Sequence, residues 1–278
     1  RMATQTRKAA VPADDSIGIA EDKTGSLSRA LAILDMFSMA EPKLRLEDVG
    51  ARLGCSQATA YRYLAYLSAA GLISSVGNGI YGIGPRVIEL ESLALLTDPL
   101  LIATKKVMGV HPPLSANSVY RLCSLYGEKV LCIHRQGPDE ILVDGQPLEL
   151  KRSRGTVMPL FQGAASLAIL AFLQPSKIQS LYLNYAGEIA RLGLGNDWSM
   201  FRSGMSAIRR DRRSFTRGQF IKQLAAVSVP MLRQGQSVAT ASLTCVLPIQ
   251  ELDDTPEMLD QVTAELKTIA TRIGENLP

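Results

Sequence analysis

The side chains with the most definite chemistry stand at 56–62, Ser-Gln-Ala-Thr-Ala-Tyr-Arg. The amide of Gln57 suits an adenine edge or a phosphate, and the guanidinium of Arg62 suits guanine or phosphate. Ala58 or the methyl of Thr59 can touch a thymine methyl, and the Tyr61 hydroxyl fits a phosphate oxygen. On helical spacing Gln57, Ala58, Tyr61 and Arg62 share one face with Thr59 beside them, while Ala60, Leu64 and Leu67 face the other way. Ser56 can accept a backbone N–H as the cap of this helix, whose first turn also offers partial positive charge to a phosphate. Such chemistry reads DNA. No comparable set supports catalysis. Ser166 lies in no Gly-x-Ser-x-Gly elbow, and Cys132 and Cys245 have no base near them in sequence. His134 in mid-strand reads as structural, and Trp198 and Tyr182 read as packing residues. Cys55, Cys123, Cys132 and Cys245 are scattered, with only His111 and His134 to assist, so neither a metal nor a cofactor is expected.

The elements that must hold this reader face are legible around it. In LEDVGARLGCSQATAYRYLAYLSAAGL (46–72), Val49 and Leu53 are the inward positions of a short helix, and Gly50 is small enough for a second helix to cross closely. Gly54 suits the left-handed residue that ends the first helix, and Gly71 ends the second. Two helices about so tight a turn predict a helix-turn-helix. Upstream, SLSRALAILDMF (26–37) puts Leu27, Ala30, Leu31, Leu34 and Phe37 on one stripe, expected to be buried. Downstream, Asn78-Gly79 between two β-prone runs predicts a hairpin, a wing whose Asn78 tip would meet DNA. From 24 to 86 six Lys and Arg face four Asp and Glu, so charge alone argues only weakly for a DNA footprint.

Across all 278 residues the net charge is +4, the charged fraction 20% and the apolar fraction 46%, values of a globular protein large enough for two domains. The best candidate for a membrane span, 93–103, is broken by Asp98 and Pro99 and is too short to cross a bilayer. Residues 1–25 lack the apolar segment of a signal peptide, and the isolated cysteines read as reduced thiols, which predicts a cytoplasmic protein without membrane contact. The expected organisation is a disordered tail at 1–24, a winged helix-turn-helix at 25–86, a linker helix at 87–108 and an α+β domain at 109–278.

The segments SLSRALAILDMF, LEDVGARLGCSQATAYRYLAYLSAAGLI, NGIYGIGPRVIEL and RGTVMPLFQGAASLAILAFL together resemble the isocitrate lyase regulator (IclR) family of bacterial transcription factors, most strongly over 26–90 and 151–173. Arg62 matches an arginine of the family's reader helix, whereas Gln57 stands where lysine is frequent. The resemblance implies a winged helix, a linker helix and a C-terminal GAF-like α/β domain that binds a small effector, usually a carboxylate. It also implies homodimers or homotetramers acting on double-stranded operator DNA.

In the C-terminal part, 130–134, 140–144, 224–232 and 237–246 read as strands, 164–173 and 256–273 as helices, and 233–237 as a turn joining two of the strands. GTVMPLFQGAAS (155–166) combines a Gly/Pro loop with small residues at a helix start, a form able to cradle an anion. The resemblance carries Met158, Gly163, Ala164 and Ala165 into the effector site. It adds the hydroxyls of Ser242 and Thr244, and Ala226 as a small lining residue. Core packing is the plainer reading of Met158 and the alanines. DRRSFTRGQF (211–220) replaces an acidic loop of the family with Arg212, Arg213, Thr216, Arg217 and Gln219. Thr216 is expected at the ligand. The arginines are either a solvated loop or, for one of them, the partner of an effector carboxylate.

The regulator reading has two competitors. An enzyme that kept a winged helix would need a nucleophile, base or metal cluster. A protein whose C-terminal domain serves only oligomerisation or protein interaction would bind no small ligand. On the regulator reading, Leu90, Leu93, Leu96 and Leu100 form an exposed stripe for inter-subunit contact, the plainer alternative being helix pairing within one subunit.

Overall fold

The computed structural model describes residues 25–150, 154–233 and 235–277. The expected tail at 1–24 lies outside them. The chain divides into two compact units between Leu93 and Ala94.

The first unit opens with α1 (Ser26–Ala32), which tightens into a 3-10 turn at Leu34–Met36. The expected single stripe is therefore corrected. Leu27 and Leu31 are 72% and 46% exposed, and Ala30 and Ile33 are the buried residues, because the helix stops after two turns. Strand β1 (Lys43–Arg45) leads into α2 (Leu46–Leu53) and α3 (Gln57–Ala69), and then β2 (Ile73–Gly77) and β3 (Ile80–Ile83) form the hairpin. Gly54 adopts φ 60°, the left-handed turn that lets α3 follow α2 after three residues. Gly50 faces α3, where a β-carbon would make ordinary contact at 3.8 Å from that of Ala60. Ile33, Leu44, Val49, Ala60, Tyr63, Leu64, Leu67 and Ile73 make the core, and the three strands run β1-β3-β2.

Helix α4 (Pro85–Thr97) has no buried residue. Pro99, which has no N–H to continue the helix, ends it, and Asp98 caps α5 (Pro99–Met108) by accepting the Leu101 N–H at 3.0 Å. The segment expected to link the two domains thus holds two helices. The second is part of a core: Leu101, Ala103, Val107 and Met108 are buried, and Leu100 packs against that core instead of standing exposed with Leu90, Leu93 and Leu96.

The second unit is built on a six-stranded antiparallel sheet of β4 (Val119–Tyr126), β5 (Lys129–Gln136), β8 (Val157–Pro159), β9 (Ser214–Arg217), β10 (Leu224–Leu232) and β11 (Ala239–Pro248), in the order β8-β5-β4-β11-β10-β9. The hairpin β6 (Glu140–Val143) with β7 (Gln146–Glu149) is a separate two-stranded sheet whose Ile141 packs with Val119, Leu224 and Val246 of the larger one. Alternation along the strands assigns the faces. Tyr120, Leu122, Val227, Val229, Leu243 and Cys245 pack on α5 and on α10 (Met258–Glu275), whose Val262, Leu266, Ile269 and Ile273 are buried. The other face carries α6 (Ala164–Leu170), buried throughout, with α7 (Pro175–Arg191) and α8 (Trp198–Asp211) in the same apolar cluster. Trp198 and Tyr182 pack there, their rings 5.3 Å apart. Short α9 (Ile249–Asp254) follows β11. Among the described residues no helix is long and apolar enough to cross a membrane.

Candidate nucleic-acid interface and ligand cavity

Helix α3 presents the expected face. Gln57, Ala58, Tyr61 and Arg62 are exposed and Thr59 is half-buried, while Ala60, Tyr63, Leu64 and Leu67 hold the helix to the core. Ser56 is the cap, its Oγ accepting the Thr59 N–H at 3.3 Å and sharing a 3.0 Å hydrogen bond with the Thr59 hydroxyl. The Arg62 guanidinium lies 5.9 Å from the centre of the Tyr63 ring, which steadies its stem on the helix surface. Asn78 is exposed at the hairpin tip with φ 51°, followed by Gly79 at φ 68°, the paired left-handed residues of a two-residue loop matched to the strand twist.

The second unit holds a cavity between the start of α6, strands β4, β9, β10 and β11, and the loop that follows β9. It offers about 70 Å³ to the centre of a water-sized sphere. One water needs only about 10–15 Å³ on that measure, so there is room for a small organic molecule. Seven of the eight effector residues expected from the sequence line it: Met158, Gly163, Ala164, Ala165, Thr216, Ala226 and Thr244. Ser242 does not. Its buried hydroxyl donates to the Ala165 carbonyl at 2.9 Å, and the Ser214 hydroxyl donates to that of Ala164, so these two serines fasten α6 to the sheet.

At the start of α6 one backbone donor is already taken. The Gly163 N–H donates to Gln219 Oε1 at 2.9 Å, and α6 is only seven residues long. The loop arginines do not enter the cavity. Arg213 pairs with Asp260 at 2.6 Å, Arg217 pairs with Asp253 at 2.6 Å, and Arg212 is an exposed residue ending α8.

Sequence reasoning missed Arg121 and Cys123 on β4, a strand it did not identify, and the lining residues Leu150, Phe220, Ile221, Leu224 and Val246. The signal for Arg121 was present. It is a lone charge in the run Val119-Tyr120-Arg121-Leu122-Cys123, and all five of these residues are buried. Arg121 stands directly opposite Thr244, which in turn stands opposite Ser228. Ser228 donates to the Leu243 carbonyl at 3.2 Å, so the 2.8 Å bond between Ser228 and Thr244 takes its hydrogen from Thr244. Thr244 then offers the cavity only lone pairs.

The first unit is a winged helix-turn-helix, and the second is a mixed helix/sheet domain with an internal cavity. Residues 26–77 match the IclR helix-turn-helix domain. Over most of its length its fold is that of solved IclR proteins. An IclR-family transcriptional regulator from Brucella abortus is 16% identical with a TM-score of 0.71, covering 92% of this chain and 95% of its own. An IclR transcriptional regulator from Alicyclobacillus acidocaldarius is 19% identical with a TM-score of 0.68, covering 90% and 98%. An IclR homologue from Microbacterium hydrocarbonoxydans, solved with 4-hydroxybenzoate, is 19% identical with a TM-score of 0.64, covering 91% and 99%. No protein among curated sequences matches the chain.

Proposed function

We propose that this chain is a transcriptional regulator that binds operator DNA through α3 and the β2–β3 wing, and that a small organic acid in the cavity of the second unit modulates that binding. The observation that carries the DNA half is the polar exposed face of a capped helix whose opposite face is wholly apolar. The cavity supports the ligand half, as does the 4-hydroxybenzoate bound by the Microbacterium homologue of like fold. Ser56, Gln57, Ala58, Thr59, Tyr61, Arg62 and Asn78 face the duplex. Met158, Gly163, Ala164, Ala165, Thr216, Ala226 and Thr244 surround the effector.

The protein acts as a homodimer or homotetramer, since paired reader helices must match half-sites about 34–36 Å apart or a multiple of that. Exposed Ile88, Leu90 and Leu96 on α4 are available for contact between copies. An effector that prefers one arrangement of the pair by about 1–3 kcal/mol changes operator affinity roughly 5- to 150-fold.

The test is fluorescence anisotropy of purified protein on a duplex drawn from the region upstream of its own gene, across a salt series, with and without a panel of small carboxylates. Salt-sensitive binding that one of these acids weakens or strengthens is expected. Binding to no duplex at any salt would sink the DNA half. DNA binding that no acid alters would leave the second unit an oligomerisation domain.

A further inference from the structure

We propose that Cys123 and Cys132 form a redox modification site, a cross-strand pair that closes to a disulfide under peroxide and reopens to two thiols under a dithiol reductant. The inference is independent of what the cavity binds.

Strand register carries it. All four cysteines are free thiols, and Cys123 on β4 stands directly opposite Cys132 on β5. A one-residue bulge makes them partners. Leu122 pairs with His134 and Cys123 with Cys132, so Ile133 is the extra residue, and it packs with Leu122 on the other face of the sheet. A regular ladder would have set Cys123 against Ile133 instead. The Cys132 N–H donates to the Thr156 carbonyl at 2.9 Å, and its own carbonyl accepts the Gly155 N–H at 2.8 Å, so both groups turn away from β4. The two cysteines are thus a non-hydrogen-bonded pair. Such pairs hold their Cα atoms about 4.5 Å apart, within the roughly 4.4–6.8 Å that a disulfide spans. Their side chains share one apolar cluster, and the Cys123 thiol donates a hydrogen bond to the Cys132 sulfur. Cys245 packs on the opposite face of the sheet and Cys55 belongs to the first unit.

The hydrogen bond from Cys123, then the positive charges of Arg121 and Arg135, hold the Cys132 thiol below its usual pKa despite its burial, and the thiolate is the reactive form. Cys123 lines the cavity, which brings an oxidant little larger than water to the edge of the pair. The Cys132 thiolate attacks one peroxide oxygen. An S–O bond forms, the O–O bond breaks, and hydroxide leaves with the thiol's proton as water. The Cys123 sulfur then attacks that of Cys132. The S–S bond forms, the S–O bond breaks, and a second water carries off the Cys123 proton. Two thiols and one peroxide give one disulfide and two waters, and the two electrons lost by sulfur go to the peroxide oxygens.

The test treats the full chain, reduced and then freed of reductant, with hydrogen peroxide, blocks the remaining thiols with iodoacetamide and maps the tryptic peptides by mass spectrometry. Cleavage after Arg121, Lys129 and Arg135 puts the two cysteines on separate peptides, 122–129 and 130–135. The expected result is a linked species of these two peptides, two hydrogens lighter than their sum. Free thiols should fall from four to two and return to four with dithiothreitol. Four thiols retained under peroxide overturn the proposal, as does linkage through Cys55 or Cys245 in place of this pair. Sulfenic or sulfinic acid at Cys123 or Cys132 without the link overturns it as well. A link that forms as fast in urea as in the folded chain does the same, because register then plays no part.

Discussion

A β-carbon placed on Gly163 would fall 2.7 Å from Cε2 of the Phe220 ring. Gly163 also has φ 86°, a conformation that side chains rarely adopt, and its N–H is held by Gln219. One residue thus starts α6 and anchors the loop of Gln219 and Phe220, both of which line the cavity.

Gly163→Ala should therefore cost stability and distort the site together. Backbone strain of this kind costs about 1–3 kcal/mol, and displacement of Phe220 adds to it. A lowered Tm in calorimetry with weakened acid binding is the expected result. An unchanged Tm would show that the loop yields without cost.

Ser242 and Thr244, alternate residues of β11, should separate in their effects. Ser242→Ala removes a buried hydrogen bond to the Ala165 carbonyl and should lower stability by about 1 kcal/mol with no change in which acids bind. Thr244→Val removes the acceptor that faces the cavity and should alter the ranking of hydroxylated against plain acids. Denaturant melts and calorimetric titrations on the two variants check this.

Arg62→Ala should weaken operator binding by about 1–3 kcal/mol if the side chain pairs with a base, and should leave the melting curve unmoved, because Arg62 is exposed. Ser56→Ala differs in kind. Loss of the cap costs about 1 kcal/mol of stability in the first unit as well as DNA affinity. Anisotropy and thermal melts on both variants distinguish reading from support.

The phenol of Tyr120 is buried, donates to Glu265 at 2.6 Å and accepts the Leu114 N–H at 3.2 Å. Burial chiefly, then its neighbours Cys245 and Glu265, raise its pKa well above the ordinary 10.0. A group raised on folding stabilises fully below its unfolded pKa, and that contribution fades as pH climbs above it toward the folded value. Stability should accordingly drop above about pH 10 in wild type more steeply than in Tyr120→Phe. At neutral pH the variant should be about 1.5–3 kcal/mol less stable, the worth of a hydrogen bond to a charged acceptor. Urea melts across that range measure both.

The exposed polar face of α3 was legible in the chain because everything that builds it is local. Cap, turn glycine, helical spacing and the Asn78-Gly79 loop act within a few residues of one another, and the structure places each as its chemistry requires. The first helix was misjudged because its apolar positions fit a longer stripe than α1 completes before it tightens at Leu34–Met36.

In the cavity the residues of one segment, 158–165, could be grouped in advance, and the family resemblance supplied Thr216 and Thr244, but nothing in the sequence brought Arg121 to them. Arg121, Thr244 and Thr216 stand on β4, β11 and β9, and they come together because non-adjacent stretches of chain pair in the order β4-β11-β10-β9. Sequence alone determined the type of unit at the N-terminus and the chemistry of its exposed helix, since periodicity and capping are written in neighbouring residues. Only the tertiary structure decided which arginine meets the cavity. Strand register fixes the face toward which a side chain points, and the acidic partners Asp253 and Asp260 hold the loop arginines away from it.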